Sequence, residues 1–161
     1  MTGNNVIPRD VRNAVRQLST RYRRYEELIK YPGDWGERAF RFWLIKELFM
    51  DVLGWRTEYI VFGERYDVLL LDECIRPKIY VETKKPGIQI IGRHVEEALR
   101  RAEDFYSIDY VIVTNGITWI LYDRVKNTKF KIDNIEKTGN ERVIGFFSKI
   151  HAKNYVRLNQ G

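Results

Sequence analysis

The segment Arg65–Lys85, RYDVLLLDECIRPKIYVETKK, carries three residues whose types and spacing could do chemistry: Asp67, Glu82 and Lys84. Each lies in or beside an apolar run, where burying charge is costly unless the charges pair or hold a metal. A symmetric turn over DECIRP sets Asp67 opposite Glu82, and directly opposed residues share one face of a sheet. The strand period of two puts Lys84 on that face as well. Two opposed carboxylates repel, and a divalent cation with oxygen ligands would turn that repulsion into binding. Lys84, one residue pair along, could then hold a water or a phosphate oxygen. The alternative for the same residues is a solvated edge hairpin making ordinary surface pairs.

Such a site needs elements to position it. The pattern predicts strands over Thr57–Phe62, Arg65–Leu71 and Lys78–Lys84, the last ended by KPG. Before them, Asp34 can cap a helix from Trp35 to Leu53 that Gly54 closes. Phe40, Leu44, Leu48 and Val52 form its inward face, and one turn back from Phe40 stands Glu37. One acid therefore points toward the core side at the helix start. After the strands, His94–Tyr106 reads as a helix with Val95, Ala98, Leu99, Ala102 and Phe105 on one stripe. DYVIVT, the turn NG and ITWILYD then read as strand, tight turn and strand. Beyond Lys126 the pattern is ambiguous, with a helix or strand near Val143–Ile150.

The first helix spans Pro8–Tyr31, with the stripe Val11, Val15, Leu18, Tyr22, Tyr25 and Ile29. Between Met1 and Tyr31 there are seven basic and three acidic residues, which holds most of the chain's net charge of +6. Arg12, Arg16 and Arg23 lie off the stripe and are either a solvated face or contacts to nucleic-acid phosphates. Lys85 and Arg93 flank KKPGIQIIGR and could reach a phosphate at a helix start, or simply solvate a loop. The stripe either packs on the sheet or forms a seam between two copies.

Composition narrows the class. A chain of 161 residues with 44% hydrophobic residues can bury a full core, and 28 basic against 22 acidic residues favour a polyanionic partner. No apolar run is long enough to span a bilayer, and the first residues lack the apolar core of a secretory signal, so the expected location is the cytoplasm, away from membranes. One cysteine, Cys74, excludes a disulfide framework and gives no zinc spacing. His94 and His151 have no paired ligands and read as surface or capping residues. Helix, three strands, helix and two strands make an α/β or α+β domain.

Taken in order, Glu37, LGW at Leu53–Trp55, RYDVLL, YVETKK and VIVTNGITWILYD resemble the PD-(D/E)XK nucleases, and among them the nuclease domain at the N-terminus of type I restriction enzyme motor subunits. The resemblance covers roughly Trp35–Asp123. It implies a restriction-endonuclease-like core, a central mixed sheet flanked by helices in the order α-βββ-α-β, with an extra N-terminal helix here. The segments would be 1–33 for the basic helix, 34–123 for the nuclease core and 124–161 for a C-terminal extension. By resemblance, Asp67 and Glu82 bind metal with the backbone carbonyl of Thr83, Lys84 is the catalytic lysine, and Glu37 joins the site from its helix. Tyr66 stands where a proline is usual before the first acid. Ala102 stands a turn before Tyr106, where a glutamine is usual.

The expected function is hydrolysis of DNA phosphodiester bonds, endonuclease before exonuclease, dependent on Mg²⁺ with Mn²⁺ as substitute. A homodimer would supply the two copies that duplex cleavage calls for. A non-cleaving DNA-binding module, or a nuclease subunit of a larger complex, is the alternative. Intact Glu37, Asp67, Glu82 and Lys84 favour the enzyme.

Overall fold

The structure, a computed structural model, describes residues 6–28 and 35–157. Its centre is a six-stranded sheet: β1 (Ile60–Val61), β2 (Val68–Leu71), β3 (Pro77–Thr83), β4 (Tyr110–Thr114), β5 (Trp119–Asp123) and β6 (Thr128–Ile132), neighbours in chain order. Only β3 and β4 pair in parallel, so the sheet is mixed. That parallel pair needs a crossover, and helix α3 (Gly92–Ala102) supplies it. Helices α1 (Pro8–Leu28), α2 (Trp35–Leu44) and α4 (Asn140–Ser148) complete the α+β architecture expected from the sequence.

Alternation along the strands divides the core in two. Val68, Leu70, Ile79, Val81, Ile112 and Leu121 face α1, α2 and α4, whose Leu18, Phe40, Leu44, Phe146 and Phe147 are fully buried. Leu69, Tyr80, Val111, Val113 and Ile120 face α3, through Val95, Ala98 and Ala102. Helices α1, α2 and α4 share the first of these clusters with the sheet. Arg12 fastens the ends together: its guanidinium donates to the carbonyls of Ile135 and Thr138 and to Oδ1 of Asn140.

Several expectations change. Of the stripe, Val11, Val15, Leu18 and Tyr22 are buried against the chain's own α2 and sheet and Tyr25 is half-buried edge-on to Trp43, so packing within the chain accounts for it; Ile29 lies outside the described residues. Thr57–Phe62 is mostly not strand, because Thr57–Tyr59 forms a 3₁₀ turn and only two residues pair. The second helix runs to Met50, but from Ile45 its turns widen to π geometry, and Gly54 at φ +77° ends the turn region; its proposed cap Asp34 is outside the described residues. The third helix ends at Ala102, before Tyr106, which is 99% exposed. The ambiguous tail provides an edge strand, β6, and the helix α4.

Candidate active site

The hairpin brings the acids together with the register read from the sequence. Val68 pairs with Val81 and Leu69 with Tyr80, so the next pair outward is Asp67 and Glu82. The turn itself is not symmetric: Leu71 pairs with Pro77, and a bulge absorbs the extra residue. Asp72 organises that turn by accepting from the N–H groups of Cys74 and Arg76. The bulge lies at the far end of the hairpin from the acids, and the ladder ends in register at Val68 and Val81, one position short of them.

Both acids are withdrawn from solvent, which excludes the solvated edge hairpin. The Glu82 side chain is fully buried and that of Asp67 is 13% exposed. Asp67 accepts from the backbone N–H of Thr83 at 2.8 Å and from its hydroxyl at 3.2 Å. Its other oxygen meets Arg41 of α2 at 2.9 Å. Arg41 also donates to the Thr83 hydroxyl at 3.0 Å and to Glu37 at 3.2 Å. One guanidinium therefore gathers Glu37, Asp67 and Thr83, residues from three separate elements.

Glu82 has a different cation. Arg101 of α3 bonds Oε1, and the hydroxyl of Tyr80 donates to the same oxygen at 3.2 Å. Oε2 is buried with no hydrogen-bond partner among the described residues. Burial pushes the Glu82 carboxyl above the usual carboxylate range; Lys84 and Arg101 oppose that rise and Asp67 adds to it. Burial likewise pushes the Tyr80 hydroxyl far up, so Tyr80 stays neutral and able to donate.

Glu37 is positioned by close packing at the helix start. A Cβ on Gly36 would lie 2.7 Å from the Tyr22 hydroxyl, so glycine lets the Tyr22 ring of α1 close over α2 one residue before Glu37 without shifting. Lys84 follows the last residue of β3 and donates its backbone N–H to the carbonyl of Thr114, 2.8 Å away. The loop after it is held by Asn115, whose side chain donates to the carbonyl of Ile88 at 2.7 Å while its Oδ1 accepts from the N–H groups of Ile117 and Thr118. TNG is thus the expected turn, and it also tethers the loop that follows the lysine.

These side chains surround a cleft of about 630 Å³, whose lining includes Glu37, Arg41, Asp67, Lys84 and Arg101. None of its lining residues comes from α1. Sequence reasoning missed Arg41 and Arg101. Arg41 stands at i+4 from Glu37 on the same helix face, a spacing that could have pointed to it, whereas Arg101 is aimed inward by tertiary packing alone. The glutamine replaced by Ala102 has no counterpart in the cleft, since Ala102 is buried in the α3 core.

The remaining predicted residues are dispersed. Arg12 is turned onto 135–140, and Arg16 pairs with Glu136 at 2.7 Å while staying half-exposed. Arg23, Lys85 and Arg93 are exposed, Arg93 lying 3.9 Å from Glu97. His94 accepts from the Ile91 N–H and His151 from the Lys153 N–H, capping roles in buried rather than surface positions. Cys74 is exposed in the hairpin turn.

The donor set suits a hard divalent cation in kind: two carboxylates, one with an orphaned buried oxygen. Among the described residues no three carboxylate, imidazole or thiolate groups form a preformed cage. Mg²⁺ does not require one, because it is commonly held by one or two carboxylates with water and substrate phosphate.

The sequence model of the type I restriction enzyme R protein N terminus matches residues 57–137, half of the chain, and spans β1 through β6 with both acids and Lys84. The chain belongs to that family. Membership supports a nuclease-related role and a restriction-endonuclease-like core. No curated protein and no solved structure gives a significant match. Among the described residues no helix is long and apolar enough to cross a membrane.

Proposed function

We propose that this domain is a metal-dependent nuclease that hydrolyses DNA phosphodiester bonds, acting as an endonuclease. The observation that carries the reading is Glu82, a buried acid held on one oxygen and without a hydrogen-bond partner on the other among the described residues, one position beyond the last β2–β3 pair from which Asp67 leads into the cleft. Asp67, Glu82 and the Thr83 carbonyl would hold Mg²⁺, or Mn²⁺ in its place, which supplies Lewis acidity toward the scissile phosphate. Lys84 is the cleft ammonium suited to donate to a phosphate oxygen as charge develops there. Arg41 fixes Asp67 and Glu37 in one orientation, and Arg101 with Tyr80 fixes Glu82. Arg16, Arg23, Lys85 and Arg93 are exposed enough to reach backbone phosphates, whereas Arg12 serves the fold first.

Membership of a restriction-subunit family supports DNA as substrate and action within a larger complex. A homodimer would serve duplex cleavage, through a surface other than the buried α1 stripe. A non-cleaving DNA-binding module is the second reading, favoured by one observation: each acid already has its own arginine.

The deciding assay incubates the protein with labelled duplex, single-stranded and junction DNA in Mg²⁺, Mn²⁺ or EDTA. Cleavage should require the metal and disappear in Asp67→Ala and Glu82→Ala. Undiminished cleavage in EDTA would sink the metal mechanism, and absence of cleavage on every substrate would favour the binding module.

A further inference from the structure

The cleft has a wall that hydrolysis does not use. Phe42 on α2 is 61% exposed, and Phe62, just after β1, is 56% exposed; both line the cleft that holds Asp67 and Lys84. Neither belongs to either core cluster. Phe40 points into the core, and two residues further the helix has turned by about 200°, which carries Phe42 to the outer side. Two large aromatic side chains left in water on the lining of one cleft are available to a ligand that enters it.

The charges around them select the occupant. Arg38, Lys84 and Arg101 line the same cleft, Arg101 also bonding Glu82; of the lining acids, Glu37 and Asp67 are bonded to Arg41 and Glu64 is exposed at the rim. Aromatic faces interleaved with cations are the chemistry that holds nucleic-acid strands, the faces stacking on bases and the cations tracking phosphates. In a duplex the base faces are covered by their neighbours, so only an unpaired base can stack on a side chain. A cleft of about 630 Å³ is of small-ligand size, the scale of a nucleotide.

We propose that Phe42 and Phe62 are stacking platforms for unpaired bases, and that the substrate class of this site is single-stranded DNA, free or as a single-stranded segment at an end or junction. This assignment rests on the nuclease reading of the same cleft.

The test uses the intact protein in EDTA, so that neither metal nor cleavage enters. Anisotropy of a labelled oligothymidylate, and of its duplex with the complementary strand, is measured over a salt series. The wild type should bind the single strand at least tenfold more tightly than the duplex. Phe42→Ala with Phe62→Ala should lose about tenfold or more of single-strand affinity per aromatic, with duplex affinity and salt slope kept. Quenching of 2-aminopurine within the bound strand should vanish in the same variant. Phe42→Leu with Phe62→Leu retains apolar volume without an aromatic face and should show the same loss, which covers any fall in stability of the alanine form. Equal affinity for single strand and duplex, or unaltered single-strand binding in both variants, overturns the proposal; the latter result would assign the patch to a protein partner. Metal-dependent cleavage by the wild type is scored separately. Single-strand preference without cleavage overturns the nuclease reading alone, and duplex cleavage without single-strand preference overturns the stacking proposal alone.

Discussion

Arg101 of α3 bonds one oxygen of the buried Glu82 carboxylate and leaves the other, Oε2, with no partner among the described residues. Asp67, one residue before β2 as Glu82 is one residue past the last position of β3 paired with β2, is neutralised separately by Arg41. The repulsion expected between two opposed acids is therefore already offset by two guanidinium groups from opposite layers of the fold. What those arginines leave behind is a single desolvated oxygen, and such a group is costly unless a ligand completes it.

Removing that charge should separate stability from function. In EDTA, Glu82→Gln should raise the unfolding free energy by about 1 kcal/mol, since the neutral amide avoids burying an under-bonded charge. In Mg²⁺ or Mn²⁺ the order should reverse. A cation at a hundred times its Kd stabilises the wild type by about 2.7 kcal/mol and should leave Glu82→Gln unmoved. Thermal denaturation in the two buffers reads both effects, and a metal-induced shift that persists in Glu82→Gln would place the cation elsewhere.

The same carboxyl predicts a pH dependence. Burial raises the Glu82 pKa above its unfolded value of 4.5, so the folded state binds the proton more tightly. Its contribution to stability is full below the unfolded pKa and is lost as pH rises through the folded one. Metal-free protein should therefore gain stability as pH falls from neutral toward the ordinary carboxylate range. Asp72 acts the other way: although burial raises its pKa, the Arg76 and Cys74 N–H groups and the Arg76 guanidinium outweigh that and hold it low. Below about pH 4 that turn should lose stability. Urea melts across pH should show the rise in the wild type and a flatter profile in Glu82→Gln.

How much of this was legible in the sequence depends on the range of the interactions. The pairing of Val68 with Val81 follows from a short hairpin, and it fixes the Asp67–Glu82 relationship through local geometry alone. Glu37 was placed by helix periodicity relative to Phe40. Arg101 was not legible, because Glu82 lies across a layer contact; Arg41 stands at i+4 from Glu37, a local pattern open to reading, but its bonds to Asp67 and Thr83 are not encoded locally. The α1 stripe was read correctly as apolar, but its partner could not be chosen: nothing in its spacing distinguishes packing on α2 from pairing with a second copy. The π segment at Ile45–Met50 also left no trace, since its residues keep an ordinary helical apolar pattern.

Lys84 should matter to rate more than to fold or metal. Its backbone N–H is held by Thr114, so truncating the side chain leaves the strand end in place. Lys84→Ala should lose about 10²-fold or more in cleavage rate while keeping the metal-induced stabilisation. A variant cleaving at the wild-type rate would assign the ammonium to solvation of the cleft.

The basic residues of α1 should divide by role. Arg12→Ala removes three hydrogen bonds between α1 and 135–140 and should cost about 2 kcal/mol of stability. Arg23→Ala touches an exposed position and should leave the melting temperature unchanged while reducing the salt slope of DNA binding by about one. Measuring both quantities on both variants separates a structural arginine from a phosphate contact. Equal loss of DNA affinity in the two, without loss of stability in Arg12→Ala, would return Arg12 to the interface.

The last prediction concerns Leu18, whose place in the helical stripe suits either a core or a seam between copies. Its side chain is fully buried in the cluster that joins α1, α2 and the sheet. Truncating a buried leucine to alanine already costs about 2–5 kcal/mol, and aspartate adds an unpaired charge in an apolar site. A domain with total stability of about 5–15 kcal/mol can lose most of it in this way. Leu18→Asp should therefore unfold the protein, with loss of the near-ultraviolet circular dichroism of the packed aromatics Trp119, Phe146 and Phe147. A seam would give a different result: light scattering would report a halved mass with the dichroism intact. A folded, cooperative Leu18→Asp monomer would overturn the packing of α1 and restore the stripe as a dimer interface.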